Sequence, residues 1–139
     1  MSYDKVKAGL VAVLTAQSLA ESKEAIDFSN AGAEEHEHTF ILSRISGQED
    51  PENERQQAFL YDDQKWQIQV AYNKTSESQV IQRDRLQELA DLLIQKFDNP
   101  ASWNTYCTIL RYKSWTIKEV KSYFVLTIQL KVLDALTYS

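Results

Sequence analysis

The clearest hydrophobic pattern in the chain lies near its C-terminal end, between Ser122 and Leu133. Apolar side chains occupy every second position of this stretch, at Phe124, Leu126, Ile128, Leu130 and Val132. A period of two places them on one face of a β-strand, while the intervening positions form a second face of mixed character. Because the apolar face carries no charge before Asp134, the pattern predicts that another element of the fold covers it.

Two stretches have the spacing of amphipathic helices. The first extends from Tyr3 to Ala20 and has Ser2 as its expected N-cap. The second extends from Asp84 to Phe97 and presents one continuous apolar stripe, which makes it the best cover for the C-terminal strand. Asn99-Pro100 ends this second helix, because the residue before a proline is disfavoured in the helical region.

Two details of the second helix leave alternatives open. Ser76 and Gln79 could form a capping box and start the helix earlier, but Gln82 would then lie on the buried stripe. We therefore expect the helix to begin near Asp84. Leu92 lies beside the apolar stripe, where it either touches the edge of the core or contacts another subunit.

Three further stretches predict β-strands: Thr39 to Ile45, Trp66 to Tyr72 and Thr105 to Tyr112. The polar run from Ser46 to Gln57 between the first two is expected to be a long exposed loop. Asp62 and Asp63 are expected to mark a bulge or turn.

Two weaker stretches complete the chain. Ile26 and Phe28 allow a short additional strand. The segment from Trp115 to Ser122 is expected to connect the last two strands. Trp103 and Trp115 then lie outside the regular strands, where each either fills the core or anchors an interface.

The element order is thus helix, hairpin, helix, hairpin. Neighbouring strands in sequence favour antiparallel pairing, so the predicted class is α+β. We expect one domain over residues 1–139, an antiparallel twisted sheet of about four strands with both helices packed on one face.

Composition narrows the possible functions. The formal net charge of −5 disfavours sequence-independent binding to nucleic acid and to anionic membranes. The apolar run from Gly9 to Leu14 is too short to span a bilayer, so a soluble, unsecreted protein is expected. A single cysteine, Cys107, excludes an intrachain disulfide.

Four groups of residues are candidates for catalysis or metal binding. His36 and His38 in an extended segment would point to one side and could bind a transition metal, but no second His/Cys cluster accompanies them. Cys107 is flanked by strand residues, as a buried thiol would be. Asp62 and Asp63 would need divergent pKa values to act as acid and base.

The fourth group, Asp50, Glu52 and Glu54, alternates like calcium ligands but lacks the glycine and closing glutamate of a calcium loop. The chain also contains no Gly-rich phosphate loop, serine elbow or CxxC pair. We therefore expect no enzymatic activity, cofactor or metal. The alternative from the residues alone is a small ligand-binding or metal-binding domain that uses His36 and His38.

The order of elements resembles the tail terminator proteins of long-tailed bacteriophages. The resemblance covers almost the whole chain. It consists of the opening helix at Tyr3 to Ala20, the strand Thr39 to Ile45 with the polar loop Ser46 to Gln57, the strand Trp66 to Tyr72, the helix Asp84 to Phe97 and the closing pair of strands.

This resemblance implies a structural virion protein located in the neck and assembled in the host cytoplasm. Such proteins form a ring, typically hexameric, that caps the tail tube, stops its polymerisation and docks head-completion proteins. Self-association, the tail-tube protein and a head-completion protein are therefore the implied partners. A head-completion protein or a tube subunit remains the alternative within this class.

A ring of this kind needs two different contact surfaces on each subunit, which sheet edges and exposed apolar residues could supply. The residues expected at contacts are Leu92, Trp103, Trp115, Gln48, Glu49, Asp50, Glu52 and Glu54. In a ring, the acidic stretch from Gln48 to Glu54 would project along the axis or into the lumen, where it would repel passing DNA without binding it. Its alternative is a solvated loop with no partner.

Overall fold

A computed structural model describes residues 2–22, 38–49, 61–74, 79–120 and 123–135. Its helices and strands are, in chain order, α1 (Ser2–Thr15), β1 (Ala20–Glu21), β2 (Thr39–Glu49), β3 (Tyr61–Asn73), α2 (Gln79–Asp98), a 3-10 helix (Pro100–Ser102), β4 (Ile109–Val120) and β5 (Tyr123–Ala135). The predicted α+β class is confirmed. Ile26, Phe28 and His36 lie outside the described residues.

The strands form one sheet of five in the order β1-β2-β3-β5-β4. The two-residue strand β1 runs parallel to β2, and every other neighbouring pair is antiparallel. The expected four strands are therefore β2 to β5, and β1 adds a short parallel edge. The two central strands, β3 and β5, pair without interruption from Tyr61–Ala135 to Asn73–Tyr123.

Both helices pack on one face of this sheet, as expected. The alternating side chains of β5 from Phe124 to Val132 share one buried cluster with the apolar stripes of the two helices. Trp66 in β3 is fully buried in the same cluster. Its ring stacks on that of Tyr3 in α1, with the two ring centroids 5.6 Å apart. The Arg44 guanidinium lies over the Tyr3 ring, 4.8 Å from its centroid. The sheet thus holds α1 at its N-terminal end by aromatic stacking.

The other sheet face also has a buried part. Ala71, Tyr123 and Val125 form a small second cluster there, with Ile41 and Val120 partly buried against it. Beyond this cluster the face is mostly polar and partly exposed, apart from the half-buried apolar pair Ile109 and Leu133. We call the whole of this second side the outer face.

Helix α1 ends at Thr15 and not at the expected Ala20. The Thr15 hydroxyl donates to the carbonyl of Val11 at 2.9 Å, and Ser18 adopts a left-handed φ of 62°. The chain then pairs with β2 through hydrogen bonds from Ala20 N to His38 O and from Ser22 N to Phe40 O. The helix therefore gives way to pairing with the sheet edge, and Leu19 joins the core from the segment between the two elements.

Helix α2 begins at Gln79, earlier than the predicted Asp84. This earlier start places Gln82 on the buried stripe, where its side chain is only 1% exposed. Its Nε2 donates to the backbone carbonyl of Asn73 at 2.8 Å. A polar side chain is tolerated on the buried stripe because it ties the helix to the end of β3.

Two predicted breaks in the sheet are wrong. Strand β2 continues through Glu49, so the first four residues of the expected loop, from Ser46, belong to a strand. Asp62 and Asp63 lie inside β3, in regular register with both neighbouring strands, and form no turn. The uninterrupted partner strand β5 offers backbone hydrogen bonds along its full length, and pairing with it outweighs the local turn preference of aspartate.

The last hairpin is also longer and later than predicted. Strand β4 begins at Ile109, not Thr105, and continues through Trp115 to Val120, where a connection was expected. Residues 100–106 instead form the 3-10 helix and turns that follow α2. Trp103 Nε1 donates to the carbonyl of Phe97 at 2.9 Å in this segment, satisfying one of the orphan carbonyls at the end of α2.

Strands β2 and β4 each contain a register shift. Both shifts lie next to one rung of the sheet, the row of directly paired residues Arg44, Trp66, Leu130 and Tyr112. The shift in β2 falls between Arg44 and Ser46, and the shift in β4 falls between Tyr112 and Ser114. The extra residues, Ile45 and Lys113, are exposed. Bulges of this kind twist an edge and hinder the addition of another strand.

Candidate interaction surfaces

Leu92 lies on the surface of α2, with 38% of its area exposed. It is on the same flank of the helix as Ile81, which is 47% exposed, and Val80 nearby is 57% exposed. Leu92 and Ile81 are eleven positions apart, about 16 Å along the helix, so each is a separate exposed apolar side chain that a partner could contact. Sequence reasoning named Leu92 and missed the other two, because they lie in the first turn of a helix that begins earlier than expected.

The two tryptophans expected at interfaces are both partly buried against the main core. Trp103 closes the end of α2 through the hydrogen bond to Phe97. Trp115 lies in β4 opposite Ile128 of β5, on the helix side of the sheet. Both side chains therefore contribute to packing within the subunit, and only their exposed atoms are accessible to a partner.

The acidic stretch is only partly described. Gln48 and Glu49 are the last residues of β2 and pair with Asp63 and Asp62 of β3. Asp50, Glu52 and Glu54 lie outside the described residues. The expected loop is therefore replaced, over its first four residues, by a β-hairpin arm.

The residues considered for catalysis or metal binding do not form a common site. The Cys107 thiol is buried and lies 3.7 Å from the carbonyl of Trp103. Burial and the nearby Asp134 carboxylate raise its pKa to about 12, while Lys5 acts in the opposite direction. Asp63 pairs with Lys131, and His38 contacts the Tyr72 ring at 4.2 Å between centroids. Among the described residues, no three His, Cys, Asp or Glu side chains are grouped to hold a metal ion.

A groove of about 350 Å³ lies between α1 and the segment that follows α2. Its walls are Gly9, Ala12 and Ala16 of α1, with Lys96 and Tyr106 on the other side. The Tyr106 hydroxyl is buried and has no hydrogen-bond partner in the described part of the chain. Burial raises the pKa of Tyr106, with a smaller contribution from Cys107. This groove is lined mainly by small side chains and holds no cluster of charged groups.

The outer face of the sheet carries two rungs without formal charge. One joins Ser43, Gln67, Gln129 and Ser114, and the next joins Ile41, Gln69, Thr127 and Thr116. All eight side chains are half-buried or exposed. No helix of the described chain covers these rungs, since both helices pack on the opposite face.

The adjoining rung of the outer face is strongly basic. Lys65 of β3 lies opposite Lys131 of β5, which in turn lies opposite Arg111 of β4. We call these three residues the basic row. Lys65 and Arg111 are exposed, and 43% of the Lys131 side chain is exposed. Lys131 binds Asp63 at 3.4 Å, whereas Lys65 and Arg111 have no carboxylate partner within the described ranges.

Helix α2 carries the opposite charge on its solvent side. Asp84, Glu88 and Asp91 are exposed and follow one another at helical spacing on the surface away from the core. We call these three residues the acidic stripe. The cations of the same helix, Arg83, Arg85 and Lys96, lie on its flanks. The subunit is therefore basic on the outer face of its sheet and acidic on the back of α2.

Sequence reasoning did not identify the basic row. Lys65 and Lys131 were visible as polar positions of their strands, but their direct opposition depends on the register of β3 with β5. Arg111 adds to it only because β4 pairs with β5 at that position. The acidic stripe could have been found, since its three carboxylates share the polar face of a predicted helix.

No protein-family model matches the chain, and no curated protein matches it by sequence. Within the described ranges, no helix combines the length and apolar character needed to cross a bilayer. The described surfaces are therefore the basis on which a function is proposed.

Proposed function

We propose that the chain is the subunit of a ring that terminates a phage tail tube and joins it to the head. The proposal comes from the resemblance of the element order to tail terminator proteins. It is supported by one structural observation, the difference between the two sides of the subunit. Helices cover one face of the sheet, whereas the outer face has only a small buried cluster and is otherwise mostly polar and partly exposed.

This two-sidedness suits a closed assembly. A ring built by head-to-tail contacts needs two unlike surfaces on every subunit, so that each copy offers one surface to the copy before it and the other to the copy after it. Such a ring is self-limiting because its rotation closes. The bulged, charged edges of β2 and β4 favour this arrangement, since they oppose unlimited growth by strand pairing.

The partners of the ring are the tail-tube protein on one side and a head-completion protein on the other. Leu92 supplies an exposed apolar side chain for one of these contacts. The function is assembly and requires no turnover of a substrate.

The test uses purified tail tubes from the phage that encodes the chain. We expect the protein to bind one end of each tube and to stop elongation when tube subunits are added, as seen by negative-stain microscopy. Leu92→Asp should reduce end binding, whereas Gln95→Asp, on the exposed side of the same helix, serves as the matched control. Tubes that elongate normally with bare ends would overturn the proposal.

A further inference from the structure

The basic row breaks a general preference of β-sheets. Like charges directly opposite each other on neighbouring strands repel and destabilise the pairing. Here Lys65, Lys131 and Arg111 lie in one line across three strands. Asp63 compensates only Lys131 within the described chain. The described chain thus relieves the repulsion at only one of the three cations, and an unrelieved local cost of this kind is typical of a surface that binds a partner.

The acidic stripe matches this row in sign and in length. Neighbouring strands are about 4.8 Å apart, so three cations across three strands span about 10 Å. Asp84 and Asp91 are seven positions apart on a helix that rises 1.5 Å per residue, which also gives about 10 Å. None of the ion pairs between described residues involves Asp84, Glu88 or Asp91.

We infer that the basic row of one copy binds the acidic stripe of the next copy. The inference rests on the proposed function, because it names the contact by which copies of the subunit associate. The two surfaces lie on opposite sides of the subunit, so the contact is head-to-tail and continues from copy to copy. The uncharged rung of Gln67 and Gln129 beside the row supplies further hydrogen-bond donors to the partner carboxylates.

Charge favours a second copy over nucleic acid as the occupant. The chain has a formal net charge of −5, so its overall field repels a polyanion. A second copy carries only the same −5, whereas duplex DNA carries one negative charge per about 1.7 Å of its axis. The overall repulsion is therefore smaller between two copies, and the local pairing of the acidic stripe with Lys65, Arg111 and the partly compensated Lys131 can outweigh it. A second copy also brings the complementary stripe at the required length.

The experiment uses two charge-reversed variants of the full chain. The first, K65E with R111E, makes the row acidic and keeps Lys131 because it pairs with Asp63. The second, E88K with D91K, makes the stripe basic. Each variant alone should associate at least about tenfold more weakly than the original chain in sedimentation velocity at low salt, because two attractive pairs become repulsive. Circular dichroism confirms that each variant is folded.

Mixing the two variants gives the decisive measurement. The acidic row of the first faces the basic stripe of the second, and the basic row of the second faces the acidic stripe of the first. Both contacts are then attractive, so the mixture should associate more tightly than either variant does alone. The matched control is K118E, the same charge change on the same strand and face but away from the row, which should associate like the original chain.

Three outcomes would overturn the inference. These are an original chain that stays monomeric at every concentration, a variant pair that fails to associate on mixing, and reversed variants that assemble normally. Binding of a labelled DNA duplex that is lost only in the K65E, R111E variant would assign the row to nucleic acid instead. If the charge-reversed variants associate normally and still cap tail tubes, the contact inferred here is wrong but the proposed function stands. If the original chain associates but does not cap tubes, the proposed function is wrong.

Discussion

Gly9 illustrates how a single residue limits the packing of this fold. A Cβ atom at this position would lie 2.2 Å from atoms of the Tyr106 ring, well inside van der Waals contact. The nearest atoms belong to the base and sides of the ring, so the whole ring would have to move. Glycine therefore allows α1 to approach the segment after α2, although it lowers the helix propensity of α1.

Gly9→Ala should consequently destabilise the protein. The gain in helix propensity is about 1 kcal/mol, and overpacking against Tyr106 costs about 1 to 3 kcal/mol, so the net effect is expected to be a loss. Chemical denaturation measures it. In a Tyr106→Ala background the ring is absent, and there the same substitution should become stabilising. A stabilising Gly9→Ala in the original chain would contradict the close approach.

The buried Cys107 thiol should lower the free energy of unfolding at alkaline pH. Its folded pKa is raised to about 12, while an unfolded cysteine titrates near about 8.5. The folded state holds the proton more tightly, so this contribution to stability is complete below the unfolded pKa and is lost as pH rises toward the folded value. The raised pKa of Tyr106 acts in the same direction.

We therefore expect the free energy of unfolding to fall between about pH 9 and pH 12. Cys107→Ala should make this fall less steep, because one of the two titrating groups is removed. Urea denaturation at a series of pH values provides the measurement, and the slopes from pH 6 to 8 serve as the internal control. Identical slopes above pH 9 in both proteins would show that the thiol does not contribute.

At the scale of elements, Gln82 fixes where α2 begins. The side chain is buried on the core side of the helix and donates to the carbonyl of Asn73, the last residue of β3. This bond links two elements across the four undescribed residues 75–78. It explains why a polar residue occupies a position that the helical pattern assigns to the core.

Gln82→Ala should cost about 1 to 3 kcal/mol in the free energy of unfolding, because a buried carbonyl loses its donor. Gln87→Ala, on the exposed side of the same helix, is the matched control and should change stability by less than about 0.5 kcal/mol. Thermal denaturation of both variants measures the difference. Equal effects at the two positions would argue against the bond.

For the molecule as a whole, the order of strands predicts where stability is concentrated. β3 and β5 have a neighbouring strand on each side, while β4 has only β5 and β1 pairs through two residues. Hydrogen exchange should therefore be slowest in β3 and β5 and fast at β1 and at the outward amides of β4. Exchange measured by NMR or mass spectrometry resolves these strands.

The same measurement on the assembled protein separates two modes of association. Contact through the basic row and the acidic stripe leaves the outward amides of β4 unpaired, so their fast exchange should persist. Strand pairing between copies would slow them markedly. Slow exchange at β4 only in the assembled form would therefore point to the edges and away from the two faces.

The sequence by itself determined the class of the fold and most of its core. The alternation from Phe124 to Val132 and the helical stripe from Leu86 to Phe97 are local patterns, and both are buried as expected. The continuation of β4 was partly readable as well, since Trp115 and Ile117 alternate with polar residues. Periodicity carries such information because burial of one face depends only on spacing along the chain.

Only the tertiary structure decided the features that depend on register. The basic row exists because β3, β5 and β4 align Lys65, Lys131 and Arg111, and a slip of one residue would move each side chain to the other face. The close approach of Gly9 to Tyr106 likewise joins two distant parts of the sequence. The burial of Gln82 depends on how the start of α2 meets the end of β3, which the helical pattern alone does not show. The chain alone thus determined which faces are apolar, and long-range pairing determined which charges stand together.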